Sequence, residues 1–320
     1  MKGIQRIEKY DKVTIMSKVS SSLTSNIKRR QKLKNEISSW IWLIPVVIVL
    51  YLMIWRPTVM GFYLSFFKMK GFTAEEFIGF RNYIEVIKDT QFLPTLVNTV
   101  EYVVWSLIIG FIPPLVLAIC INEMMRFKGT LRIILYLPAI VPGVAVSLIW
   151  YYMYYPDATG FLNLILTKLG AEPYAWLNDA RYTILYIIIS MTWSGLPGTM
   201  LFYYASLQSV NVELYEAATI DGAGMFHRLF HVTLPQISGV LILQFVSQMI
   251  AVFQVTEQPM TMTGGGPNNA SISLGYQLYK YGFVNGRVGH AMALGVITFL
   301  ILVVCTIFYF KLEKKVSENF

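Results

Sequence analysis

The chain has 320 residues, of which 55% are hydrophobic, 15% aromatic and only 14% charged. Soluble domains carry about a quarter charged residues, so this balance argues against a water-soluble globular fold and for lipid as the main solvent. The formal net charge is +8, and its placement along the chain carries more information than its size.

The first 34 residues hold ten Lys or Arg and two acids. A basic segment just ahead of an apolar run reads as an anchor on the inner side of a membrane rather than as a nucleic-acid arm. No cleavable leader is expected, because the first apolar run begins near Trp40 and is too long for a signal-peptide core. Six apolar stretches follow that suit crossings of about 20 helical residues. They run over 40–67, 93–121, 131–155, 182–207, from Ile237 onward, and over 291–310. The predicted fold class is therefore all-α, a polytopic membrane protein with six transmembrane helices. Its expected parts are a basic cytosolic segment at 1–39, a six-span transmembrane domain at 40–312 and a short tail at 313–320. The connecting stretches after the first and third runs, rich in aromatics, acids and amides, are predicted to form short amphipathic interfacial helices. MTGGGPNNAS, from Met262, is expected to be irregular.

Six crossings put both termini on one side. With the N-terminus inside, inner segments carry 17 Lys or Arg and outer ones eight, which favours a cytosolic N-terminus and C-terminus. That orientation also places EAATIDGAGMFHRLFHVTLP, Glu216 to Pro235, in the cytosol.

Catalytic and energy-coupling motifs are missing. There is no GxxxxGK[ST], no GxGxxG after a strand, no HExxH and no nucleophile elbow. A multispan glycosyl transferase would need acids such as DxD at a membrane face, and none occur. The apolar runs lack interior Asp, Glu or Lys of the sort that ion-coupled transporters use as relays. Cys120 and Cys305 lie in apolar runs without metal-ligand spacing, so no metal site is expected. A chain of this kind that moves a solute draws its energy from elsewhere.

The segment at 208–236 is the most patterned polar stretch. Glu213 and Glu216 lie early in a helix-favouring run, where the macrodipole prefers acids. Ala217, Ala218, Gly222, Ala223 and Gly224 offer a small-residue face that another surface can approach closely. Pro235 is placed to begin the next span. The same features also fit an ordinary interfacial helix that fills a turn. Within the spans, Trp150, Tyr151, Trp193, Tyr203, Gln244, Gln248 and Gln254 are candidates to line a polar path, Gln244 and Gln248 sharing a helix face. Amides in hydrocarbon also serve simply to join neighbouring helices.

The spacing of this segment resembles the EAA loop of binding-protein-dependent ABC importer permeases. Glu216-Ala217-Ala218 is followed by three residues, Gly222, nine residues, then Val232, one residue and Leu234-Pro235, with Val232 in place of the usual isoleucine. Asp221-Gly222-Ala223, MTGGGPNNAS and FIGFRNYIEVIKD (from Phe77) are similar to the sugar-permease branch, the maltose and glycerol-phosphate permeases. The resemblance implies a type I importer fold and a non-catalytic subunit in a bacterial or archaeal cell (inner) membrane. Implied partners are a second homologous permease, two cytosolic ATP-binding subunits and an extracytoplasmic solute-binding protein. ATP and magnesium would belong to the ATPase partner, with no cofactor on this chain and no nucleic acid. Glu216, Ala217, Ala218, Asp221, Gly222, Ala223 and Pro235 would form the ATPase-docking face. The implied cargo is a carbohydrate, in particular an oligosaccharide. The alternative within the same architecture is glycerol phosphate or another small polar solute.

Overall fold

In the computed structural model, residues 34, 36, 40–124 and 126–317 are described. The basic segment expected at 1–39 lies outside them apart from Lys34 and Glu36, as do the last three residues of the tail. The chain divides into two compact units, Met1–Gly61 and Phe62–Phe320.

The first unit holds most of α1 (Trp40–Leu64), whose side chains over 41–60 are all exposed. Arg56-Pro57 does not break it. A π-helical turn over Tyr51–Trp55 precedes the proline, the local widening by which a helix absorbs a missing N–H. Thr58 Oγ1 then donates to the carbonyl of Ile54 at 2.7 Å.

In the second unit a hairpin of β1 (Phe67–Lys70) and β2 (Thr73–Phe77) comes first, where the sequence suggested only helix. Gly71 supplies the positive φ its turn requires, Lys68 pairs with Glu75 at 3.0 Å and Phe67 meets Phe77 edge-on. The amphipathic helix expected in the same connection is α2 (Arg81–Lys88). Its buried Asn82 donates to the carbonyls of Ser65 and Phe67. The second connection also contains a helix, α6 (Phe161–Lys168).

Two long helices organise the rest. They are α3 (Phe92–Glu123) and α7 (Thr183–Gln208), packed along much of their length. A π-helical stretch at Ser106–Phe111 sits in α3 just ahead of Pro113-Pro114, the same remedy as in α1. The third run is not one straight crossing. It forms α4 (Gly129–Ile140) and α5 (Gly143–Met153), bent by 93°. Pro142 lacks an N–H and forces the preceding Val141 out of the helical region, to ψ 128°. The fifth run is likewise entered through a bend: α9 (Met225–Gln236), from the patterned segment, meets α10 (Ser238–Phe253) at 72°. Between the two bent pairs lie α6, α7 and α8 (Val212–Ile220). The last elements are α11 (Leu274–Tyr279) and α12 (Val288–Lys311). Among the described residues, four helices are thus long and apolar enough to cross a membrane, and up to six spans result when each bent pair counts as one.

Two of the apolar clusters mark the two ends of α7. Tyr102, Ile184, Ile187, Ile188 and Val252 close one end. Ala118, Ile121, Met200, Tyr203, Leu207 and Ile237 close the other. Large apolar side chains such as Ile133, Leu137, Phe202, Leu243 and Val304 point outward, as a lipid-facing surface requires.

Candidate functional site

The patterned segment occupies the Gln208 end of α7. Asn211 caps α8, accepting the Glu213 N–H at 3.0 Å, and Glu213 stands in the first turn as the macrodipole favours. At the other terminus Gly222 N–H reaches the carbonyl of Thr219 and Ala223 N–H that of Ala218. This pair of bonds is the Schellman closure, which needs a left-handed residue at its centre. Gly222 supplies it with φ +77°. Sequence reasoning read this glycine as part of a small face; the fold gives it a conformational role as well. A Cβ there would meet nothing within 4 Å, so the position is also open surface.

The chain returns through α9, and short-range bonds hold the two limbs together. Tyr215 Oη lies 3.1 Å from Thr233 Oγ1, and Arg228 Nη1 donates to Thr219 Oγ1 at 3.2 Å. His227 and His231 stack with ring centroids 4.0 Å apart. Pro235 stands in the first turn of the segment Leu234–Gln236, two residues before the bend at Ile237, and the span helix α10 starts at Ser238.

Glu216, Ala217, Asp221 and Gly222 are exposed on this loop, with Ala218 and Ala223 half-buried. Beside them stand large apolar side chains that the sequence did not single out. Ile220 is 87% and Phe226 74% exposed, and Met225 and Phe230 are open too. A shallow concavity of about 490 Å³ runs past Ala218, Asp221, Gly222, His227 and His231. Apolar side chains around a small-residue hollow on a well-ordered loop are features of a docking surface. Their sequence signal was the apolar residues flanking the Gly222 turn, where a solvated turn would be polar.

The seven candidate path residues do not form one site. Trp150 and Trp193 meet edge-on at 6.1 Å, near Tyr151 in the apolar cluster at the Thr183 end of α7. The Trp150 indole N–H is buried without a hydrogen-bond partner among the described residues. Tyr203 lies in the opposite cluster, fully buried against Phe111, and its hydroxyl is likewise unpartnered among the described residues. Gln248 faces the helix interior between these ends. Its amide nitrogen lies 2.5 Å from where a Cβ on Gly110 would stand, with Thr192 adjoining. Gln244 is half-buried on the same helix, and Gln254 is exposed at the C-cap of α10. Gln248 is thus the glutamine placed between helices, close to the π-helical stretch of α3.

Residues 106–318 match the family described as binding-protein-dependent transport system inner membrane component. The chain is 32% identical to the trehalose/maltose transport system permease protein MalF of Thermococcus litoralis, over 92% of this chain and 99% of that one. It is 30% identical to the sn-glycerol-3-phosphate transport system permease protein UgpA of Agrobacterium fabrum, over 88% and 96% of the two chains. The fold matches a chain of a bacterial ABC transporter involved in the import of the acidic polysaccharide alginate, with a TM-score of 0.78, 23% identity, and coverage of 90% and 98%. The chain belongs to the binding-protein-dependent transport system inner membrane components.

Proposed function

We propose that this permease carries a carbohydrate, and that the loop at 208–236 is where a cytosolic ATPase subunit docks. The observation that supports docking is the exposed surface around Glu216, Ala217, Gly222, Ile220 and Phe226, held by caps and cross-limb bonds on a loop between two spans. Ordered apolar side chains left open on a loop are explained by a partner that covers them. A second, homologous permease supplies the other half of the pathway, and an extracytoplasmic solute-binding protein delivers cargo to the Thr183 end of α7. ATP and magnesium act on the ATPase, whose closure and opening shift the permease pair between outward-open and inward-open states. Both termini of this chain lie in the cytosol under this reading. Kinship with trehalose/maltose and glycerol-phosphate permeases supports a polyhydroxylated cargo, of which we favour oligosaccharides.

The test is reconstitution of the chain with the permease, ATPase and binding protein encoded beside it, followed by ATP-dependent uptake. Labelled trehalose, maltotriose, arabinotriose and glycerol 3-phosphate form the panel. Uptake of a sugar supports the reading, whereas uptake of glycerol 3-phosphate alone overturns the carbohydrate assignment. Glu216→Arg, at an exposed position, should leave the permease folded while removing co-purification of the ATPase and reducing uptake to background. Unchanged co-purification and uptake would overturn the docking assignment.

A further inference from the structure

We propose that the cavity beneath the glycine-rich loop, at the Thr183 end of α7, is a binding subsite for an uncharged glycosyl unit. The inference rests on the carbohydrate reading above and narrows it, since it excludes anionic solutes from this site.

The cavity holds about 490 Å³, within the roughly 300–1,000 Å³ of small-molecule sites. It lies at the opposite end of α7 from the docking loop, and 26 residues of helix separate the two, about 39 Å at 1.5 Å per residue. Tyr151 and Tyr155 line one wall, their ring centroids 5.9 Å apart. Asn178, Thr261 and the turn at Gly264 and Gly266 line the others.

The walls are set before any ligand arrives. Thr263 Oγ1 and Ser271 Oγ are 2.7 Å apart, and Ser271 Oγ donates to the carbonyl of Gly266 at 2.9 Å. Gly265 N–H reaches the carbonyl of Pro259 at 3.1 Å. From the other side α3 grips the segment. Asn98 Nδ2 donates to the carbonyls of Asn269 and Ile272, and Tyr102 Oη to that of Ser271. A preformed wall reduces the ordering entropy that binding must overcome.

The chemistry of the lining selects the ligand. Tyrosine rings present flat apolar faces to the C–H face of a pyranose, and their hydroxyls add polar edges. Among the described residues, the side chains of Asn178 and Thr261 have no hydrogen-bond partner in the chain, so an amide and a hydroxyl stay free for ligand hydroxyls. None of the lining residues is charged. Arg181, three residues from Asn178, is held by Asp179 through two bonds of 3.0 and 2.8 Å. Hydrogen bonding from Arg181 keeps the Asp179 carboxyl well below the usual carboxylate range, so the pair stays ionised and mutually satisfied. A phosphate or carboxylate entering here would lose water without gaining a counter-charge, a loss larger than that for a neutral hydroxyl. A neutral sugar loses less and finds both aromatic faces and free amide and hydroxyl groups.

The experiment uses the reconstituted transporter with Cys120→Ser, Cys305→Ser and Pro156→Cys, which leaves this chain one thiol, on the cavity wall, and labelling is read on this chain's band. Maleimide labelling of that thiol is timed with trehalose, maltotriose, arabinotriose or glycerol 3-phosphate present. The sugar that the transporter takes up should slow labelling, and glycerol 3-phosphate at equal concentration should not. Adding Tyr155→Ala should raise the sugar concentration for half-protection about tenfold, the weight of a lost aromatic contact. Thr261→Val, of equal shape, should raise it roughly threefold to tenfold through one neutral hydrogen bond, and it serves if Tyr155→Ala does not assemble. A transported sugar that gives no protection overturns the subsite, as does equal protection by glycerol 3-phosphate. If glycerol 3-phosphate alone is taken up, the carbohydrate reading falls first, and uptake itself reports that.

Discussion

The two ends of α7 are built by different means. At the Gln208 end, the proposed docking loop is closed mainly by bonds within 18 residues, namely the Asn211 cap, the closure at Gly222, Arg228 to Thr219 and Tyr215 to Thr233, with one longer tie where Gln208 Nε2 donates to Asn122 Oδ1. At the Thr183 end, the glycine-rich segment is tied to α3 by bonds that span about 170 residues: Asn98 to Asn269 and Ile272, Tyr102 to Ser271 and Leu274 N–H to Thr99 Oγ1. A locally closed loop keeps its shape while neighbouring helices move, as the proposed docking role requires. A segment pinned across the chain keeps its shape only while α3 and the fifth and sixth runs stay together. The difference predicts that mutations at the first end act on coupling, and those at the second on stability and on the cavity.

The largest stability effect should come from Asn98→Leu. The change leaves the exposed Asn269 carbonyl to water and the half-buried Ile272 carbonyl without its donor, the second at a cost of about 1–3 kcal/mol. The thermal midpoint of the detergent-solubilised protein should fall clearly, and sugar protection at the cavity should weaken with it. If the midpoint is unmoved, the cross-chain clamp does not hold the segment. Tyr102→Phe takes away one bond at 3.0 Å and no volume, so about 1 kcal/mol is expected, the scale of polar contacts within membrane bundles. Its effect on ATPase co-purification should be nil, because the docking loop contributes nothing to this clamp.

This contrast also explains what could be read from the sequence. The loop proposed for docking stood out in the sequence because its residues are close together: the acids, the alanines, the glycine and the proline fall within 20 residues. Even so, Gly222 was read for its small size, and its left-handed φ appears only once the bonds from Gly222 and Ala223 are known. Ile220 and Phe226 passed as ordinary apolar residues of a membrane chain, since exposure is not a property of a residue type. The six apolar runs were legible from length and composition, but the right-angle break at Pro142 was not. Proline is tolerated within many spans, and whether it kinks or breaks depends on what its neighbours can satisfy. The hairpin at Phe67–Phe77 was hidden because its strands are short and their pairing rests on one glycine turn. The clamp from Asn98 to Ile272 carries no sequence signal at all, because nothing local marks partners so far apart. For the same reason the path residues were chosen by type, and Gln248 proved to lie between helices while Gln254 did not.

The effects at Gly222 divide its two roles. Alanine in a left-handed conformation costs about 1–2 kcal/mol, whereas asparagine tolerates it better. Both add atoms at a point where a Cβ would meet nothing within 4 Å of this chain. If the residue served only to end α8, Gly222→Ala would lower uptake more than Gly222→Asn, following stability. If the ATPase packs against the bare backbone there, the order reverses, because asparagine intrudes further than a methyl group. The reversed order is expected, with the Gly222→Asn protein as stable as the parent within about 1 kcal/mol and its ATPase co-purification reduced below that of Gly222→Ala. Thermal midpoints measured beside co-purification separate the two orders, since strain lowers both quantities together and a steric block at the interface lowers only the second.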